Sequence, residues 1–354
     1  MSTNATTDAP TPDTTDPVLQ EVPLGNQWPT IDPFLFCAHH RDDYPAGNPD
    51  LGPAASLEGR SIGQDFADVD GWNMYHGDVV PGFPNHPHRG FETVTFVRKG
   101  LIDHSDSLGA AARFGRGDTQ WMTAGRGVVH SEMFPLLDAE RGNPAELFQI
   151  WLNLPAQDKL VDPYFTMLWS EDIPSLQVVS PDGATATITV IAGPPAGSDI
   201  VAPTPPPNSW AARVEADLAI WHLALERGAS WEMPAAAGAD TVRTIYVFEG
   251  DGLSIDDHAV GGSTGALLRS DRSVTVSATA GPVEAMVLQG RPIGEPVARY
   301  GPFVMNTEAE IEQAFVDYRE TGFGGWPWDS DAPVHGRETG RFARHADGRH
   351  DTPG

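Results

Sequence analysis

Between positions 86 and 132 the chain carries two pairs of potential metal ligands, each pair separated by one residue: His86-Pro87-His88 and His130-Ser131-Glu132. No other feature restricts the fold as strongly. In an extended strand, residues i and i+2 project from the same face, so each pair presents its two ligands together. Two such strands facing one another inside a barrel bring three imidazoles and a carboxylate to one point. Iron, manganese, nickel and copper all accept imidazole with carboxylate. Structural zinc sites often add thiolates, and this chain holds a single cysteine, Cys37. A six-coordinate ion held by four such side chains keeps open positions for water, oxygen or substrate. That geometry belongs to catalysis or ligand sensing rather than to a structural clip.

The surrounding sequence agrees with a barrel. Short apolar runs such as Phe34–Ala38, Glu92–Val97, Gln120–Thr123 and Leu147–Leu154 are punctuated by Gly, Pro, Asn and Asp, the pattern of an all-β sandwich or barrel. A second series, including Ala186–Ala192, Ala219–Leu225, Thr241–Glu249 and Val283–Gln289, follows a Pro- and Gly-rich loop at 193–208. The expected fold is therefore all-β, with two barrels side by side and a short C-terminal helix. That helix is announced by the capping box Thr307-Glu308-Ala309-Glu310, the apolar stripe Ile311, Ala314, Phe315 and Tyr318, and Gly322 at its end. The expected divisions are a disordered acidic tail over 1–18, a metal-binding barrel over 19–165 and a barrel without a metal site over 166–300. A helical segment over 301–328 and a disordered tail over 329–354 complete the chain.

Composition narrows the function classes. The chain has 49 acidic against 22 basic residues, a formal charge of −27, which disfavours direct contact with nucleic acid or an anionic membrane. Lys99 and Lys159 are the only lysines. An acidic, lysine-poor surface fits a protein kept soluble at high salt, or an arginine-biased genome with an acidic tail. One cysteine forms no internal disulfide, and no secretory signal or membrane-length apolar run is present, so the expected compartment is the cytoplasm.

The run His86-Pro87-His88-Arg89-Gly90-Phe91-Glu92-Thr93-Val94, the run Gly117–Glu132 and Gly301-Pro302-Phe303-Val304-Met305-Asn306-Thr307 together resemble the pirin family, whose members are two-cupin (bicupin) proteins. The likeness spans roughly residues 20–325. It implies iron, Fe(II), bound in the first barrel by His86, His88, His130 and Glu132, with Glu92 outside the ligand set and no metal in the second barrel. On the residues alone, Glu92 remains open as a ligand or a supporting group, and Mn, Ni, Cu, Co or Zn could replace iron. Pirin-like quercetinases imply a metal-dependent dioxygenase that takes a flavonol or related phenolic together with O2, with Glu132 as catalytic base. Other members imply an alternative, a non-enzymatic iron- or redox-responsive regulator that binds a protein partner.

Several residues have bland readings beside the functional ones. His104 is either a neighbour of the site or part of a surface turn. Arg89 and Arg126 hold either an anionic substrate or a structural ion pair. His39 and His40 read as an exposed turn, Trp121 and Met122 as packing, and His222 and His258 as structural or solvated. His335, His345 and His350 fall in the expected tail, as adventitious metal binders or solvated side chains.

Overall fold

The regular structure of the described residues is almost entirely antiparallel strand, and first-barrel strands such as Ala111–Gly115 and Val128–Met133 are buried along their whole length. The computed structural model describes residues 15–354. The first barrel packs two sheets. One runs, in spatial order, Tyr164–Leu168, Thr119–Thr123, Phe91–Lys99, Asn143–Asn153, Phe34–Tyr44 and Gln27–Trp28. The facing sheet runs His350–Asp351, Phe342–Arg344, Ala111–Gly115, Leu101–Asp106, Val128–Met133 and Gly82–His88. The second barrel packs a seven-stranded sheet against a four-stranded one, around an apolar core that includes Val190, Leu223, Ile245, Ile255 and Val287. The all-β expectation with two barrels side by side holds.

Strand Phe91–Lys99 explains how the barrels join. Phe91 to Val97 are buried on both faces, as in strands that are covered on each side. Val94 and Phe96 pack with Phe148 and Ile150 against Ile220, Tyr246, Met286 and Leu288 of the second barrel. The alternate positions, including Thr95, face the first barrel's interior.

A hairpin of Ala298–Tyr300 and Phe303–Met305 leads into the helix Glu308–Thr321. The capping box forms as expected: the Glu310 amide donates to the Thr307 hydroxyl, and the Thr307 amide donates to the Glu310 carboxylate at 2.8 Å. Phe303, Ile311 and Phe323 press this unit onto Val129, in the strand that carries His130.

Three boundaries differ from expectation. Val18–Pro23 pairs with Thr264–Leu268 and so begins the second barrel rather than the first, because Val18 completes that barrel's core. Tyr164–Leu168 still belongs to the first barrel, which places the crossover between Leu168 and Ser175. The segment 329–354 is not a loose tail. Phe342–Arg344 adds to the edge of Ala111–Gly115, and the buried Arg113 guanidinium donates to the carbonyls of His335, Gly336 and Thr339. Polar composition concealed this docking, since the contacts run through backbone rather than apolar side chains. Of the tail expected over 1–18, residues 1–14 lie outside the described residues. Among the described residues no helix is long and apolar enough to cross a membrane.

Candidate metal centre

The two pairs of candidate ligands sit on adjacent strands of one sheet. Gly82–His88 runs antiparallel to Val128–Met133 with His86 directly opposite His130, and an irregularity between Phe83 and His86 sets that register. One ring nitrogen each from His86, His88 and His130 lie within 4.8 Å of one another, and the ring centroids are 4.5 to 4.9 Å apart. Glu132, two residues beyond His130, places Oε2 4.0 Å from His130 Nε2.

The electrostatics suit a cation. His86 Nδ1 lies 2.8 Å from the Pro84 carbonyl; a carbonyl only accepts, so Nδ1 carries the proton and Nε2 keeps its lone pair. Burial lowers His86 to about 4 and holds His88 and His130 well below the usual imidazole range, so all three are neutral at neutral pH. His88 Nδ1 and both ring nitrogens of His130 are buried without a hydrogen-bond partner, an arrangement that is costly unless something occupies the cluster. Burial also raises Glu132 to about 7, against the lowering pull of His104 and of hydrogen bonds from Thr95 and Gln149. Neutral imidazoles with unused lone pairs and a desolvated carboxyl fit a divalent metal, whose charge would reverse the carboxyl's shift.

The opposite sheet positions that carboxyl. Gln149 Nε2 donates to Glu132 Oε2 at 3.1 Å, and Thr95 Oγ1 lies 2.5 Å from Gln149 Oε1 and 3.3 Å from Glu132 Oε1. Neither Thr95 nor Gln149 stood out in the sequence. Their signal was a polar residue at an interior position of a buried strand. His86, His88 and Glu132 open onto a cavity of about 670 Å³ that His40, Tyr75 and Phe83 also line. That volume lies within the roughly 300–1,000 Å³ of small-molecule sites.

Glu92 is separate from the cluster. The strand breaks at Arg89-Gly90, where Gly90 has φ +83, so positions 86 to 92 do not share a face. The Glu92 carboxylate instead accepts from Thr123 Oγ1 at 2.7 Å and Ser209 Oγ at 2.6 Å. His104 is fully buried rather than in a surface turn, with its ring 5.5 Å from that of His130. Arg89 is a structural tie, donating to Asp317 Oδ2 and the Arg126 carbonyl, each at 2.6 Å. Arg126 pairs with Asp162 on the surface. Trp121 and Met122 are core residues.

His39 and His40 lie within strand Phe34–Tyr44, not in an exposed turn. His39 meets Glu146 at 3.0 Å, and both His39 and His40 line the cavity. His222 meets Glu284 at 2.7 Å, and His258 meets Glu21 at 2.7 Å. His335 and His345 are held within the docked segment: His335 Nε2 is 3.2 Å from the Ala112 carbonyl and His345 Nε2 is 2.6 Å from Asp351.

Two family descriptions match the chain: Pirin over residues 18–152, and the Pirin C-terminal cupin domain over residues 220–324. Human pirin is 35% identical over 275 residues, covering 75% of this chain and 87% of its own length. A pirin-like protein of Caulobacter vibrioides is 37% identical over 259 residues, or 71% of this chain and 84% of the relative. Among solved structures, a quercetin 2,3-dioxygenase from Acinetobacter baumannii superposes with a TM-score of 0.66 at 26% identity, covering 87% of this chain and 98% of that one.

Proposed function

The chain belongs to the pirin family, and on that premise we propose that it is a metal-dependent dioxygenase that opens a flavonol or related phenolic with O2. His86, His88, His130 and Glu132 hold one divalent metal, iron(II) in this reading. The observation that carries the proposal is the cluster of three neutral imidazoles, with His88 Nδ1 and both His130 nitrogens unpartnered, beside a cavity that His86, His88 and the desolvated Glu132 carboxyl line. The structural likeness to a quercetin 2,3-dioxygenase supports the substrate class.

When bound, the metal supplies Lewis acidity that acidifies a substrate hydroxyl and a site at which O2 chemistry can proceed. The protein does the rest. The cavity removes the substrate from bulk water, and the aromatic wall of Tyr75 and Phe83, stacked at 5.1 Å, favours a planar ring system. Glu132 takes the hydroxyl proton, with Gln149 and Thr95 keeping its carboxylate aimed at the cluster. His86 stays in one tautomer through the Pro84 carbonyl.

The test is oxygen uptake by iron-loaded protein with quercetin. Consumption that disappears in His88→Ala and Glu132→Ala, with loss of bound metal in His88→Ala, is the expected result. Full metal loading with no uptake across a panel of flavonols and catechols overturns the enzyme reading.

A further inference from the structure

The cavity beside the imidazole cluster is also lined by His40, a polar group with no hydrogen-bond partner among the described residues. His40 projects inward from strand Phe34–Tyr44, opposite Leu147 and two pairing positions from Ala38–Gln149. Gln149 touches Glu132, and diagonal neighbours across strands are separated by roughly 7–8 Å, so His40 and the centre fall within the span of one planar tricyclic molecule. The imidazole is clamped edge-on by Tyr75 at 4.9 Å and Phe83 at 5.7 Å. Burial lowers it to about 4, the nearby His39 adding to the effect, so it is neutral and offers one donor and one acceptor.

Several of its polar neighbours in the lining are already committed, His39 to Glu146 among them. The Tyr75 hydroxyl donates to Asp42 Oδ2 at 2.7 Å. Asn73 Nδ2 donates to Asp42 Oδ1 at 3.0 Å, and Asn73 Oδ1 accepts from the Asp68 amide at 2.7 Å. Gln149 is engaged with Glu132 and Thr95, and the exposed His76 with the Gly63 carbonyl. No described residue hydrogen-bonds the His40 ring. The ring is half-buried, and its nitrogens face a cavity where an entering ligand can meet them.

Resting on the dioxygenase reading above, we propose that His40 hydrogen-bonds a second hydroxyl of the aromatic substrate, remote from the one at the metal, and so selects polyhydroxylated flavonols. It is a specificity-determining residue for the same cavity. A site built to bond a hydroxyl discriminates strongly against the analogue that lacks it, because its own polar group is left unpaired.

The experiment measures anaerobic binding of two probes, quercetin and 3-hydroxyflavone, to the iron-loaded full chain, with oxygen uptake recorded separately. Wild type is expected to bind quercetin at least ~10-fold more tightly. His40→Leu is expected to bring the two within about 2-fold, while His40→Gln, which keeps a donor and an acceptor, restores part of the gap. Metal content and unfolding midpoint establish that each variant is folded, and His40→Gln serves as the informative variant if His40→Leu is not. The proposal is overturned if wild type binds both probes equally or neither, or if the quercetin preference survives in His40→Leu. If no variant consumes oxygen yet the binding contrast follows position 40, the dioxygenase reading fails while the role of His40 stands.

Discussion

Gln149 donates its amide to Glu132 Oε2 at 3.1 Å, from the sheet opposite the one that carries all three clustered imidazoles. This bond ties the two halves of the first barrel together at the centre. Outer groups that orient a metal ligand typically account for 10–100-fold in affinity. Gln149→Leu is therefore expected to weaken metal retention by about that factor with little change in the unfolding midpoint of the metal-free protein. Chelator competition measures it, and unchanged retention would contradict the role given to this amide.

Gly90 follows the strand that carries His86 and His88, at a position where no other residue fits. Its φ is +83, and a Cβ there would lie 2.0 Å from the Val304 carbonyl oxygen. Gly90→Ala combines an unfavourable backbone conformation with a clash against the hairpin that braces His88. A loss of roughly 2–3 kcal/mol in urea unfolding is expected.

Glu146 gives the protein a definable acid sensitivity. Burial alone would raise its carboxyl, but the hydrogen bond from His39 and the charges of Arg98 and Lys99 bring it down to about 2. A folded-state value below the unfolded one stabilises above the unfolded pKa, and the contribution fades as pH falls from about 4.5 through 2. Glu146→Gln should therefore unfold more easily than wild type at pH 7, with the difference narrowing below pH ~4. Chemical denaturation at the two pH values checks the sign.

The docked C-terminal segment is expected to be essential to the first barrel. Arg113 and Asp103 form a buried pair through contacts of 2.6 and 2.7 Å, and the remaining guanidinium donors are satisfied by carbonyls at 335, 336 and 339. Deleting 329–354 leaves those donors unpaired and should cost about 3–5 kcal/mol. Hydrogen exchange should then accelerate in Ala111–Gly115 while the second barrel, such as Ala219–Leu225, remains protected.

The fold class and the clustering of His86, His88 and His130 were legible in the chain because both follow from short-range periodicity. Alternation of side chains sets strand faces, and a two-residue spacing places a pair of ligands on one face wherever the strand lies. The capped helix was legible for the same reason, since a capping box is a contact three residues long. Tertiary structure alone decided the rest. Which strand lies against which gave His104 its place beside His130, sent Glu92 to Ser209 and put Val18–Pro23 in the far barrel. It also turned His40 from an apparent surface turn into a cavity wall and fastened a polar C-terminal segment through Arg113. These are contacts between residues tens to hundreds of positions apart, settled by burial and backbone hydrogen bonding across strands, and local spacing carries no record of them.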